Sequence, residues 1–187
     1  VDSSVYGRRD RDLRNRYKGR TMGWANFKTM NHEAIARLTW DDIDYFRAQT
    51  RLPLMLKGIM NPADAALAVE HGVDVVYVSN HGGRELDHQL GTIQVLPEIV
   101  EAVNGKAEVI IDSGFRRGTD VLKAIALGAK AVCLGRPLCW GLAAGGEDGV
   151  VRLLELMREE IMTDMALLGV NSLEELGPSY IRRVSPV

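Results

Sequence analysis

The stretch VDVVYVSNHGGRELDHQLGTIQVLPEIV, residues 73–100, changes character twice. Residues 73–79 are a Val-rich, nearly unbroken apolar run of strand length, and residues 93–105 (IQVLPEIVEAVNG) carry helical spacing with Gly105 as a stop. A strand with no polar alternation is covered on both faces, and that condition calls for a parallel sheet flanked by helices. Between strand and helix lie His81, Arg84, Glu85 and Asp87, more charge than a plain connector needs. The carboxyl ends of parallel strands are where loop amides and side chains converge on ligands, so this loop is expected to be a site.

Working outward, the same unit recurs. LPLMLKG (52–58) precedes NPADAALAVEHG (61–72), which has an Asn cap, a Pro in the first turn and a terminal Gly. EVIIDSG (108–114) leads through FRRG into TDVLKAIALG (119–128), where Thr119 is the expected cap and Gly128 the stop, and AVCLG (131–135) leads into RPLCWGLAAGG. Four strands each followed by a helix make an α/β parallel architecture. In the tail, residues 146–169 form an amphipathic helix with Val150, Leu153, Leu154, Met157 and Ile161 on one side, and residues 172–181 a short helix with Ser172 three before Glu175. Residues 19–34 have no steady period and suit a lid-like loop. Their Trp24 and Phe27 lack the amphipathic periodicity of a membrane-contacting helix. The opening Val1-Asp2 has the character of a strand's last two positions, so a piece of something longer is expected.

Composition excludes broad classes. The 187 residues are 46% apolar and 26% charged with a formal net charge of −2, ordinary globular material with no general attraction for nucleic acid. Apolar runs are too short to span a bilayer, and a cytoplasmic location is expected, with a peroxisomal one compatible. Cys133 and Cys139 are six apart without metal-ligand spacing. They are expected to be reduced core thiols, and no metal is expected.

Each strand end carries chemistry. Lys57 closes its strand with a cation suited to stabilising an anion that develops during reaction. His81 is flanked by Gly82 and Gly83, which let backbone approach a ligand, and by Arg84, a fork for a carboxylate. Gly114 with Arg116, and Gly135 with Arg136, are placed like the phosphate site that barrels build after their last two strands.

Taken together, LKG, SNHGGRELD, DSGFRRGTDVLKAIALGA and LGRP, in that order and spacing, resemble the carboxyl half of the FMN-dependent 2-hydroxy acid oxidising enzymes. That group includes glycolate oxidase, lactate oxidase and monooxygenase, mandelate dehydrogenase and flavocytochrome b2. The resemblance runs from about residue 1 to 181, and VDSSVYGRRDRDLRNRY resembles the family's segment leaving barrel strand four. It implies a TIM (β/α)8 barrel, of which residues 1–187 would be the carboxyl-terminal half: the end of strand 4 and strands 5–8, with the C-terminal helices at 146–187. His81 would be the base that takes a proton from the substrate, with Asp2 holding its imidazole. Arg84 and Arg9 would grip the substrate carboxylate. Lys57 and Ser79 would contact the flavin ring, and Asp112, Ser113, Gly114, Phe115, Arg116, Gly135 and Arg136 would hold the ribityl chain and phosphate of FMN. Ser113 departs from the family's more usual glycine.

The function implied is oxidation of a small L-2-hydroxy acid such as lactate, glycolate or mandelate to the 2-oxo acid, the flavin being reoxidised by oxygen or another acceptor. A homo-oligomer is expected, with another chain or segment supplying the first half of the barrel. The alternative is a noncatalytic half-barrel that binds FMN or phosphate and needs a partner chain or second copy. A nucleotide dehydrogenase on a similar barrel would need a catalytic Cys in a loop, and Cys133 and Cys139 are expected in a strand and at a helix start.

Overall fold

The computed structural model describes residues 38–184. Four parallel strands, β1 (Met55–Ile59), β2 (Val75–Val78), β3 (Glu108–Ile111) and β4 (Ala131–Val132), pair in simple succession β1-β2-β3-β4. Helices α2 (Pro62–Glu70), α3 (Thr92–Val103) and α4 (Gly118–Ala126) connect them, and α5 (Arg136–Leu168) follows β4. A doubly wound sheet would reverse its strand order partway along; unbroken succession is the order of a barrel wall.

Alternation along the strands separates two faces. Leu56, Val76 and Val109 share one register row and are buried among Leu96, Ile99 and Val103 of α3. Lys57, Tyr77 and Ile110 form the next row, and side chains one residue apart on a strand point to opposite faces. Register slips between Lys57 and Ile59, where Gly58 takes φ +103. A bulge with a left-handed glycine re-aims neighbouring side chains, and here the neighbour is Lys57.

The amino ends of the strands are fastened separately from the site. Helix α1 (Trp40–Gln49) starts at a capping box in which Asp42 Oδ2 accepts from the Thr39 backbone N–H at 2.7 Å. Its Arg47 reaches Asp74 at 2.7 Å, and the same Asp74 oxygen accepts from Leu54 N at 2.6 Å. Trp40 stacks on His71 with ring centroids 5.3 Å apart.

Helix α5 is broken by Gly145 (φ −152, ψ 21) and Gly146 (φ 62, ψ −139), so a second helical run begins where the sequence predicts one. Several finer expectations are corrected. Thr119 is not the cap of α4: the helix begins a residue earlier, and Asp120 reaches back to the Arg116 and Arg117 amides at 3.0 and 3.1 Å. Residues 172–181 form two single 3₁₀ turns, Leu173–Glu175 and Pro178–Tyr180, because Gly177-Pro178 interrupts any longer helix. Along the tail helix, Met157 and Met165 are buried, whereas Leu154 is 49% exposed; it lies about 100° round the helix from Leu153 and leaves the packed stripe. Among the described residues no helix is long and apolar enough to cross a membrane. The expected lid at 19–34 lies outside the described residues.

Candidate active site

The loops at the carboxyl ends of all four strands meet at one hollow of about 300 Å³, bordered by Lys57, His81, Arg84, Asp112, Arg116 and Arg136 among others. Four cations against one carboxylate make it a receptor for anions. Lys57, His81 and Arg84, predicted from the ends of two different strands, border the same space. Asp2 and Arg9 lie outside the described residues.

Asp112 organises the floor. Its Oδ2 is 3.5 Å from Lys57 Nζ and accepts from the Tyr77 hydroxyl at 3.1 Å, while its Oδ1 accepts from Ser113 Oγ at 2.6 Å. Lys57 also donates to Ser79 Oγ at 2.9 Å and lies 5.0 Å from the centre of the Tyr77 ring. The lysine is thus held in place by a hydroxyl, a carboxylate and an aromatic face. Burial pushes the Tyr77 hydroxyl well above its ordinary range, and the Cys133 thiol and the Asp112 charge push it further. Tyr77 therefore stays protonated and remains a donor. Ser79 is buried beneath the hollow, bonded to Lys57 and to the His81 amide (3.3 Å), so it fixes two site residues from below.

The loop after β2 is tightly turned. His81, Gly82 and Gly83 take φ values of +56, +68 and +70 in succession, a run that needs glycine at most positions. Asn80 anchors it: its Oδ1 accepts from Gly83 N at 3.1 Å and its Nδ2 donates to Leu90 O at 3.2 Å.

At the phosphate end, the structure divides the cations. The first amides of α4 are already taken, Arg116 N and Arg117 N by Asp120 and Gly118 N by Glu160 Oε2 at 2.7 Å. Arg117 is drawn away with them, its Nε 2.8 Å from Glu160 Oε1. Arg116, 5.6 Å from the Trp140 ring, and Arg136 border the hollow instead. Gly114 (φ +94) and Gly135 have no heavy atom within 4 Å of where a Cβ would sit, leaving open space at two backbone positions beside two guanidiniums. That combination fits a phosphate ester, with the start of α5 contributing its positive end. Phe115 borders the hollow while its ring belongs to the core.

Tyr77, Cys133 and Cys139 were not anticipated at the site. Both cysteines are free, neither is buried, and both border the hollow, which corrects their expected place in the core. The signal was present: both lie within six residues of Gly135-Arg136. Among the described residues no group of three or more His, Cys, Asp or Glu could hold a metal ion.

Glu160 offers a pH test of this framework. Hydrogen bonds from Arg117 and then from the Gly118 amide hold its carboxyl below its ordinary value of 4.5. A lowered folded-state pKa adds stability above the unfolded value, lost as pH falls through the folded one. The difference in melting temperature between the wild type and Glu160→Gln is expected to shrink from about pH 5 to about pH 3. A gap that persists unchanged at the acid end would assign Glu160 a purely packing role.

Residues 1–183 match the family model described as FMN-dependent dehydrogenase. The chain belongs to that family. Its relatives include an L-lactate oxidase of Nostoc sp., 44% identical over 97% of this chain and 55% of the relative. A 2-hydroxyacid oxidase 1 of Mus musculus is 46% identical over 98% of this chain and 55% of its own length. Among solved structures, a mandelate oxidase variant with (S)-mandelic acid superposes with a TM-score of 0.75 at 48% identity, over 90% of this chain and 49% of that one. A flavocytochrome b2 variant with pyruvate bound gives a TM-score of 0.74 at 47% identity, over 76% and 38%. The chain thus spans about half the length of the curated relatives it matches, and the four-stranded wall is part of a TIM barrel.

Proposed function

We propose that the protein carrying this chain oxidises a small L-2-hydroxy acid to the corresponding 2-oxo acid with FMN as cofactor. The observation that carries it is the convergence of His81, Arg84 and Lys57 on the hollow that Arg116, Gly135 and Arg136 also border. When bound, FMN would accept the electron pair and pass it to oxygen or another acceptor. His81 takes a proton from the substrate; imidazole is suited to that task near neutral pH. Arg84, joined by Arg9, holds the carboxylate in a bidentate grip that orients the reacting carbon. Lys57, fixed by Ser79, Tyr77 and Asp112, would supply positive charge that favours the flavin's reduced, anionic form when FMN is bound. Asp2 would orient His81. The relatives' greater length supports completion of the barrel by a further segment or chain.

The test is the visible spectrum of the protein expressed from its complete coding sequence, followed by anaerobic addition of L-lactate, glycolate or mandelate. Flavin bands that bleach support the proposal; flavin that stays bound and unbleached with all such acids would favour a noncatalytic binding role. Arg136→Ala is expected to weaken FMN binding by about 10- to 100-fold, the range of a lost charge-assisted hydrogen bond. Fluorescence titration of the apoprotein measures it, and unchanged affinity would remove Arg136 from the phosphate site.

A further inference from the structure

Ser113 is in a conformation its side chain does not favour. Its φ of +78 lies in the left-handed region, which L-residues bearing a Cβ rarely enter and glycine enters freely. Gly114, next in the chain, already supplies a left-handed turn at φ +94. Something about the hydroxyl offsets the backbone strain at 113.

The hydroxyl makes two bonds that a glycine could not. Ser113 Oγ donates to Asp112 Oδ1 at 2.6 Å and accepts from the Gly82 backbone N–H at 2.9 Å. Asp112 is held in turn by Tyr77 and Lys57, so Ser113 joins the fixed floor of the site to the peptide immediately following His81. The Gly82 carbonyl is held from another direction, accepting from Arg136 at 3.2 Å. The Arg136 guanidinium sits only 3.0 Å from where a Cβ on Gly82 would lie. Residue 82 is therefore clamped between the end of β3 and the start of α5, and its neighbour is the proposed base.

We infer that Ser113 is a positioning residue for the His81 loop. Its hydroxyl transfers the fixed position of Asp112 to the Gly82 amide and so sets where the imidazole at 81 stands against the substrate. This rests on the proposal that His81 is the base. A serine that only holds the loop makes a different prediction: Ser113→Gly, which keeps the backbone conformation and relieves its strain, would loosen the loop and leave kcat at the wild-type value.

Ser113→Gly in the complete protein separates the two. In the FMN-free protein, amide hydrogen exchange across 79–87 is expected to quicken by about tenfold, the consequence of losing one hydrogen bond to a loop amide, with no fall in melting temperature. In the FMN-saturated protein, kcat is expected to fall by about five- to tenfold with a smaller change in KM, since proton transfer depends on where the imidazole stands, whereas the longer, flexible Arg84 side chain on the same loop can still reach the carboxylate. Loop exchange at the wild-type rate would overturn the inference whatever the activity. Faster loop exchange with a wild-type kcat would also overturn it, because the loop would then be held without positioning the base. If the unsubstituted protein oxidises no 2-hydroxy acid, the proposed function fails, and the exchange measurement still tests whether Ser113 holds the loop.

Discussion

Replacing His81 by glutamine is expected to slow oxidation of the 2-hydroxy acid by about 10² to 10⁴-fold and to leave FMN bound. Glutamine can hydrogen-bond within the same loop but cannot take up a proton near neutral pH, so the loss isolates proton transfer from binding. The backbone complicates the substitution, because residue 81 sits at φ +56 and glutamine enters that region less readily than histidine does. His81→Asn is the matched control, since asparagine tolerates left-handed backbone and likewise cannot act as a base. Anaerobic rapid mixing with substrate, followed at the flavin bands, gives the rate of the first half of the reaction. Both variants should show the same deep loss, with FMN affinity within about threefold of wild type by titration, a shift under about 0.7 kcal/mol. If either variant reacts at the wild-type rate, His81 is not the base, and the cations around the hollow would have to be explained by binding alone.

The strands and most helices were legible because each is written in local chemistry. Val75–Val78 is almost wholly apolar, with Val76 and Val78 buried and Val75 and Tyr77 half-buried on the other face, and Asn61 announces α2 because its Oδ1 accepts from Ala63 N at 2.9 Å. Helix α1 went unread: WDDIDYFRAQ has only Ile43 buried, so its periodicity is faint, although Thr39 three before Asp42 was a usable start signal. That the individual cations and His81 border one hollow could be anticipated from their places at strand ends. What connects them could not. The contact of Lys57 with Tyr77 depends on the register of β1 against β2, and the bond from Ser113 to Gly82 crosses 31 positions of chain. Neither distance is encoded in any local pattern, which is why the sequence points neither to Tyr77 at the site nor to the bonds by which Ser79 ties Lys57 to the His81 amide.

Gly149→Ala is expected to destabilise the protein by about 3 kcal/mol, the upper end for overpacking a close contact, and to weaken the phosphate site with it. On either side of the break at Gly145 and Gly146, the two helical runs of α5 touch backbone to backbone. A Cβ on Gly149 would run into the Gly141 carbonyl, and one on Gly141 would meet the Gly149 oxygen at 2.7 Å. Backbone atoms cannot rotate aside as a flexible side chain can, so the added methyl must push the runs apart. The first run carries Arg136 at its start and the second carries Glu160, which caps α4 beside the site. Separation therefore disturbs both supports of the phosphate end at once. Gly177→Ala is the control: its backbone is extended (φ −153, ψ 177), which any residue adopts, and nothing lies within 4 Å of its Cβ position. Urea denaturation of both variants, with FMN titration of each, should show the loss at 149 alone. Equal stability at the two positions would mean that the glycine pair does not set the spacing of the two runs, and the geometry around Arg136 would have to be maintained by α4 and Glu160 instead.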